Sequence, residues 1–222
     1  KTSPGKSGSG GIDIFTGKSE GDSSGTIAIT TGETPMGASG DIFVKGGEGL
    51  LGGELKFKAG NGETTGGSVL VSSGRSESGS SGTVHLRTHN GLQSSSGNLD
   101  LITGSSIQRG SGGLSLETGV SASGFGGYVQ VKSGKSNGEG GSLSMFAGNS
   151  IALTGGGVTL MSGKSSVGSS GNIAMKTPTS KKSSGSIKLF TGSSKGGSSG
   201  AIHISTGSSV AGKSGGIKFL VG

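Results

Sequence analysis

The sequence predicts an all-β protein, a parallel β-solenoid with about 15 residues per coil and about 15 coils. Two observations carry this prediction. The first is a motif, Gly-x-h-x-h-x-small-Gly with h an apolar residue, that recurs along the whole chain at steps of 13 to 15 residues. The second is the segment of about seven residues, rich in Gly and Ser, that separates successive motifs. A fixed period without a break is typical of repeat architectures.

We call the motif the apolar leg and the segment that follows it the spacer. Each leg starts at an opening Gly, and most legs end at a closing Gly. It is predicted to be a β-strand because its apolar residues alternate with other residues and glycines bound the run. The first apolar residues of the legs are Ile12, Ile27, Ile42, Leu55, Val69, Val84, Leu99, Leu114, Val129, Leu143, Val158, Ile173, Ile187, Ile202 and Ile217.

The residue four positions after the first apolar residue is the third inward residue of the leg. It is Thr, Ser, Ala or Gly in every leg except the last, where it is Val221. A column restricted in this way predicts a narrow interior. In the spacer, Ser or Thr recurs two residues after the closing Gly, and a Ser or Gly precedes each opening Gly from the second leg onward. We therefore expect the spacer to lie flat against the leg, with closing glycines at the corners because Gly tolerates positive φ.

Like positions of successive coils would then stack at the interstrand spacing of about 4.8 Å, in a parallel, cross-β-like arrangement. The alternative is an antiparallel β-meander in which the spacers are hairpin loops. In either case residues 1–222 form a single uninterrupted repeat array. Both ends fall at a repeat boundary without capping repeats, so we expect a window of a longer array.

Several function classes find no support in the sequence. The chain has no Cys, and its twelve acidic residues form no recurring pair that would suit glycosidase chemistry. His85 and His89 would share an outward face but lack a third metal ligand. We therefore predict no enzyme activity, no catalytic residues, no cofactor and no metal. The net charge of +7 is spread without a long run, which argues against nucleic acid, and no segment has the length of a membrane span.

The outward residue next to the third inward residue is large and apolar in six legs. Nothing in the predicted interior needs these side chains, and exposed apolar patches often mark association surfaces. We therefore predict a lateral self-association surface. Its residues are Phe15, Ile102, Phe146, Met161, Phe190 and Leu220.

The legs SGTIAITTG, SGNLDLITG, SGSIKLFTG and SGAIHISTG, with spacers such as KSSVGS and SSKGGS, carry a resemblance. The chain resembles the Gly/Ser/Thr-rich tandem-repeat arrays of very large secreted or surface proteins of algae and other microbial eukaryotes. Pro178 in place of a closing Gly is one departure from the pattern. The resemblance implies an extracellular location, a structural role and no catalytic residues to carry over.

The expected function is that of a structural protein that forms extracellular filaments, with itself as partner through axial and lateral contacts. The alternative is a basic rod that binds acidic polysaccharide or mineral surfaces. Ice binding is a remote alternative because it needs a regular outward Thr ladder, and the regular Thr column here is assigned to the interior.

Overall fold

The computed structural model describes residues 9–221, and within that range no residue belongs to a helix or a β-strand. The predicted all-β class is therefore wrong, and so are the β-solenoid with its cross-β stacking and the alternative antiparallel β-meander. Residues that are close in space are almost all close in sequence. Legs of successive repeats consequently have no backbone ladder with one another, which both predicted architectures require.

The chain divides into two units, Lys1–Leu114 and Ser115–Gly222. Among the described residues, each unit contains three spacers that are closed by a backbone hydrogen bond. In each of them the N–H of the next opening Gly donates to the carbonyl of the preceding closing Gly, at 2.9–3.1 Å. The closed spacers run between Gly47 and Gly53, Gly60 and Gly67, Gly74 and Gly82, Gly134 and Gly141, Gly148 and Gly156, and Gly163 and Gly171.

A second set of hydrogen bonds explains the recurring spacer Ser. The Ser106 Oγ accepts the N–H of Arg109 at 3.1 Å, and the chain bends sharply over the residues between the two groups. A hydroxyl that accepts a nearby backbone N–H is the usual reason for Ser in turns. The same Oγ accepts an N–H two or three residues on at Ser19, Ser76, Ser121, Ser136, Ser150, Ser165, Ser180, Ser194 and Ser209.

The third inward residue lies against the opening Gly of the next repeat rather than in a shared interior. A methyl group placed on Gly141 would lie 3.1 Å from the Cβ of Ser133, and one on Gly127 would lie 3.0 Å from the Cβ of Thr118. The third position is therefore small because it packs against a glycine across the spacer. Most of the partly covered residues of the chain occupy this position, and they are Gly46, Ala59, Ser133, Ala147, Ser162 and Thr177.

The closing glycines do not have the role that the sequence predicted for them. From Gly11 to Gly216, no glycine has a φ in the left-handed region. A methyl group on Gly104 or Gly192 would meet nothing within 4 Å. The expectation that closing glycines form corners at positive φ is therefore wrong. Of the two glycines that bound a leg, the opening one is the sterically constrained one.

The identity of the third inward residue separates closed from open spacers. All six closed spacers follow Gly, Ala or Ser. In the described residues, none of the eight spacers that follow Thr has the closing backbone bond. These eight threonines are Thr16, Thr31, Thr88, Thr103, Thr118, Thr177, Thr191 and Thr206.

The β-branched side chain of Thr accounts for this difference. The Cγ2 methyl of Thr16 lies 3.2 Å from a methyl site on Gly25. In the closed spacer before Gly141, the backbone nitrogen of Gly134 lies 3.2 Å from a methyl site on Gly141. Two heavy atoms on the Thr Cβ therefore keep the two backbone segments apart. The hydroxyl replaces the lost bond in two spacers, because Thr16 Oγ1 donates to the Gly25 carbonyl at 3.2 Å and Thr118 does the same to Gly127 at 3.4 Å.

No residue between 9 and 221 is buried, so neither unit has an apolar core of its own. The predicted alternation of inward and outward side chains in the legs is visible only as a difference in solvent exposure. The first apolar residues are 47–66% exposed, while the six predicted association residues are 80–90% exposed. The inward column is thus shielded by the local chain alone.

Candidate self-association surface

Spacer closure positions the backbone of two of the six predicted association residues, Phe146 and Met161. Phe146 immediately precedes Ala147, whose Cβ lies 3.4 Å from a methyl site on Gly156. That same Gly156 donates its N–H to the Gly148 carbonyl at 2.9 Å. Met161 stands in the same relation to a second closed spacer, between Gly163 and Gly171. These two side chains therefore lie next to closed spacers of the Ser115–Gly222 unit.

The other four predicted residues do not lie next to a closed spacer. Phe15, Ile102 and Phe190 precede a Thr and an open spacer, and Leu220 precedes Val221. Phe15 and Ile102 belong to the Lys1–Leu114 unit, and the remaining four residues belong to Ser115–Gly222. Each unit thus carries part of the predicted surface on exposed side chains.

A second set of exposed apolar residues was missed by the sequence analysis. These residues lie one or two positions after the Ser, Thr or Gly at which a spacer turn starts, and we call them the turn-tip residues. They are Met36, Leu50, Leu51, Leu92, Ile107, Ile151, Val167 and Val210. They are 90–108% exposed, which equals or exceeds the 80–90% of the predicted surface residues. The signal was present in the sequence as apolar residues that interrupt the Gly/Ser spacers.

The division into two units reveals a charge asymmetry that the whole-chain value hides. Lys1–Leu114 carries nine lysines and arginines against ten acidic residues, a net charge of −1. Ser115–Gly222 carries ten lysines against only Glu117 and Glu139, a net charge of +8. Nearly the whole excess of positive charge therefore belongs to one unit.

The three ion pairs of the described residues all fall in the first unit. They join Lys45 to Glu48 at 2.6 Å, Lys56 to Glu54 at 2.8 Å and Arg75 to Glu77 at 3.0 Å. All six side chains are at least two-thirds exposed, so each pair contributes little to stability. In the part of the second unit that the structure describes, the lysines have no such carboxylate partner.

No pocket opens anywhere in residues 9–221, and no three His, Cys, Asp or Glu side chains of this range come together as a metal site. No helix suited to crossing a membrane is found among the described residues. The candidate functional features are thus exposed apolar and basic side chains.

Comparison with protein-family models, with curated proteins and with solved structures gives no match to this chain. The resemblance to algal and microbial repeat arrays stays a prediction from the sequence.

Proposed function

We propose that this chain is a structural protein that forms extracellular filaments by association with further copies of itself. The observation that carries the proposal is that the apolar residues between 9 and 221 lack a buried core. No apolar side chain is buried in the described part of the chain, although the legs repeat their apolar pairs throughout. Water contact with so much apolar surface is unfavourable, and association of copies is the direct way to remove it.

The free energies of side-chain burial and of association indicate how many of these apolar side chains such a contact needs. Full burial of one large apolar side chain stabilises by about 1.5–3 kcal/mol. The four predicted residues of Ser115–Gly222 would therefore contribute roughly 6–12 kcal/mol. Association costs an estimated 4–15 kcal/mol in lost freedom of motion. One unit alone is close to balance, so we expect both units of each chain to take part.

The test compares two variants of the full chain that each lose six exposed apolar residues. In the first, Phe15, Ile102, Phe146, Met161, Phe190 and Leu220 are replaced by Ser. In the matched control, six turn-tip residues are replaced by Ser, namely Met36, Leu92, Ile107, Ile151, Val167 and Val210. Negative-stain electron microscopy and sedimentation measure the filaments. We expect the first variant to stay monomeric and the control to form filaments.

Two results would count against the proposal in different ways. Filaments that survive the first variant but disappear in the control would move the contact to the turn-tip residues. Discrete monomers of the unmodified chain at both low and high salt would remove the filament proposal altogether.

A second candidate function rests on the charge asymmetry: binding of an acidic polysaccharide or mineral surface through the lysines of Ser115–Gly222. Ten lysines against two acidic residues give this unit a field that attracts polyanions. The Lys1–Leu114 unit, with its net charge of −1 and its ion pairs, lacks such a field.

Alginate, a linear polyuronate, serves as the probe for this candidate. We expect Lys181, Lys182 and Lys188 changed to Gln to weaken binding and to reduce its salt dependence. The matched control changes Lys45, Lys56 and Lys58 to Gln, which removes as many charges from the other unit. Equal losses in the two variants would show that the asymmetry has no role. Salt also separates the candidates, because it screens polyanion binding but not the packing of apolar side chains.

A further inference from the structure

We propose that Asn61 and Asn90 are sites of spontaneous deamidation and backbone isomerisation, and that Asn137 is protected from the same reaction by its turn. The chain contains three Asn-Gly pairs, all within spacers: Asn61-Gly62, Asn90-Gly91 and Asn137-Gly138. All three asparagines are exposed. The modification uses water as its only co-reactant.

The reaction is an attack by the backbone nitrogen of the glycine on the side-chain amide carbon of the preceding asparagine. The nitrogen loses its proton to solvent and forms a C–N bond that closes a five-membered succinimide. The bond between the side-chain carbonyl carbon and its own nitrogen breaks, and that nitrogen takes up a proton from solvent and leaves as ammonia. Water then opens the ring at either carbonyl and gives aspartate or isoaspartate. Glycine is the favourable second residue because it has no side chain to hinder its own nitrogen.

Two of the three turns require this glycine. A methyl group on Gly62 would overlap the carbonyl oxygen of Thr65, and one on Gly91 would overlap the carbonyl oxygen of Ser94. These two spacers have Gly at the position where most others have the turn-forming Ser. The backbone carbonyl of the turn thus occupies the space of a side chain, and any larger residue would change the turn. The two turns therefore require the glycine that makes each Asn-Gly pair reactive.

The hydrogen bonds distinguish the third site from the other two. The N–H of Gly138 donates to Ser136 Oγ at 3.0 Å. Within residues 9–221, the N–H groups of Gly62 and Gly91 have no acceptor. A nitrogen whose proton is held in a hydrogen bond must break that bond before it can lose the proton and attack. A hydrogen bond in a protein contributes a factor of about five to the equilibrium between its formed and broken states. We therefore expect Asn137 to react about fivefold more slowly than Asn61 and Asn90.

The modification would change the charge of one unit more than that of the other. Conversion of Asn61 and Asn90 adds two negative charges to Lys1–Leu114 and takes its net charge from −1 to −3. Ser115–Gly222 would keep its net charge of +8 for as long as Asn137 stays intact. The electrostatic difference between the two units would therefore grow with the age of the protein.

The test is a time course with the full chain in mildly alkaline buffer. Peptide mapping by mass spectrometry measures conversion at each asparagine, and isoaspartyl methyltransferase labelling reports the isomerised product. Asn98, which precedes the bulky Leu99, is the internal comparison. We expect Asn61 and Asn90 to convert first, Asn137 about fivefold more slowly, and Asn98 slowest. Rates should fall in mildly acidic buffer, where the glycine nitrogen loses its proton less readily.

The variant Ser136→Ala removes the acceptor of the Gly138 N–H and should raise the rate at Asn137 to that of Asn61. The control Ser165→Ala removes the same kind of turn bond from a spacer without Asn-Gly and should leave all three rates unchanged. The proposal is overturned if Asn61 and Asn90 convert no faster than Asn98. It is also overturned if Asn137 matches them in the unmodified chain, or if Ser136→Ala leaves its rate unchanged.

Discussion

The third inward residue of each apolar leg should determine whether the spacer that follows it is closed or open. In the structure, Gly156 donates its N–H to the Gly148 carbonyl at 2.9 Å across a spacer that follows Ala147. Within residues 9–221, spacers that follow Thr lack this bond. We therefore predict that Ala147→Thr opens the bond at Gly156, and that Thr191→Ala creates an equivalent bond between Gly192 and Gly200.

The size of the effect follows from the hydrogen bond that is gained or lost. The net contribution of one such bond is about 1 kcal/mol, which corresponds to a factor of about five in the equilibrium between closed and open spacer. Amide hydrogen exchange, followed by nuclear magnetic resonance, measures this equilibrium residue by residue. The amide of Gly156 should exchange about fivefold faster in Ala147→Thr. That of Gly200 should exchange about fivefold more slowly in Thr191→Ala.

Two further variants separate the methyl group of Thr from its hydroxyl. Ala147→Val adds the branch without a hydroxyl and should open the spacer as Thr does. Thr191→Ser keeps the hydroxyl without the methyl and should close it, since the spacers after Ser73, Ser133 and Ser162 are closed. Unchanged protection of Gly156 in Ala147→Val would refute the steric explanation. Equal protection of Gly200 in the unmodified chain and in Thr191→Ser would refute it as well.

Three other predictions test the remaining structural assignments. Gly141→Ala should speed amide exchange in the spacer that ends at Gly141, because the added methyl would lie 3.1 Å from the Ser133 Cβ. Gly134→Ala should be tolerated, because its methyl would meet nothing within 4 Å. Equal exchange in the two variants would contradict the assignment of the opening Gly as the constrained one. Ser106→Ala should speed exchange of the amide three residues on by about fivefold, and no change there would show that the turn does not depend on the hydroxyl. Ile202→Asp should leave the exchange of the monomer unchanged, because the side chain is half exposed, and a general loss of protection would reveal a core.

The sequence predicts which positions of the repeat are restricted, because the contacts of these residues are with neighbours a few residues away. The recurring Ser two residues after the closing Gly pointed to an ordered spacer, and the structure gives that Ser a backbone N–H to accept. The sequence predicts that the third position is restricted to small residues, but it does not predict correctly what this residue packs against. It packs against the next opening Gly, as Ser133 does against Gly141, and not into an interior.

The predicted surface was only partly accessible for the same reason. Phe146 and Met161 stood out by their repeat position, and they are exposed in the structure. The turn-tip residues, such as Ile107 and Ile151, share no single repeat position, so the periodic pattern did not reveal them. The charge asymmetry could not be recognised until the boundary after Leu114 was known.

By itself the sequence determined the repeat, the positions of its glycines and the side-chain alternation of each leg. It did not determine whether the backbones of different legs pair, because alternation describes which way side chains point and not where the partner strand lies. Only the tertiary structure decided that question, and in residues 9–221 it shows spacers closed on themselves and no strands. The physical reason is distance along the chain: a spacer bond closes a loop of six to eight residues, whereas a ladder between legs must order a whole repeat before its first bond forms.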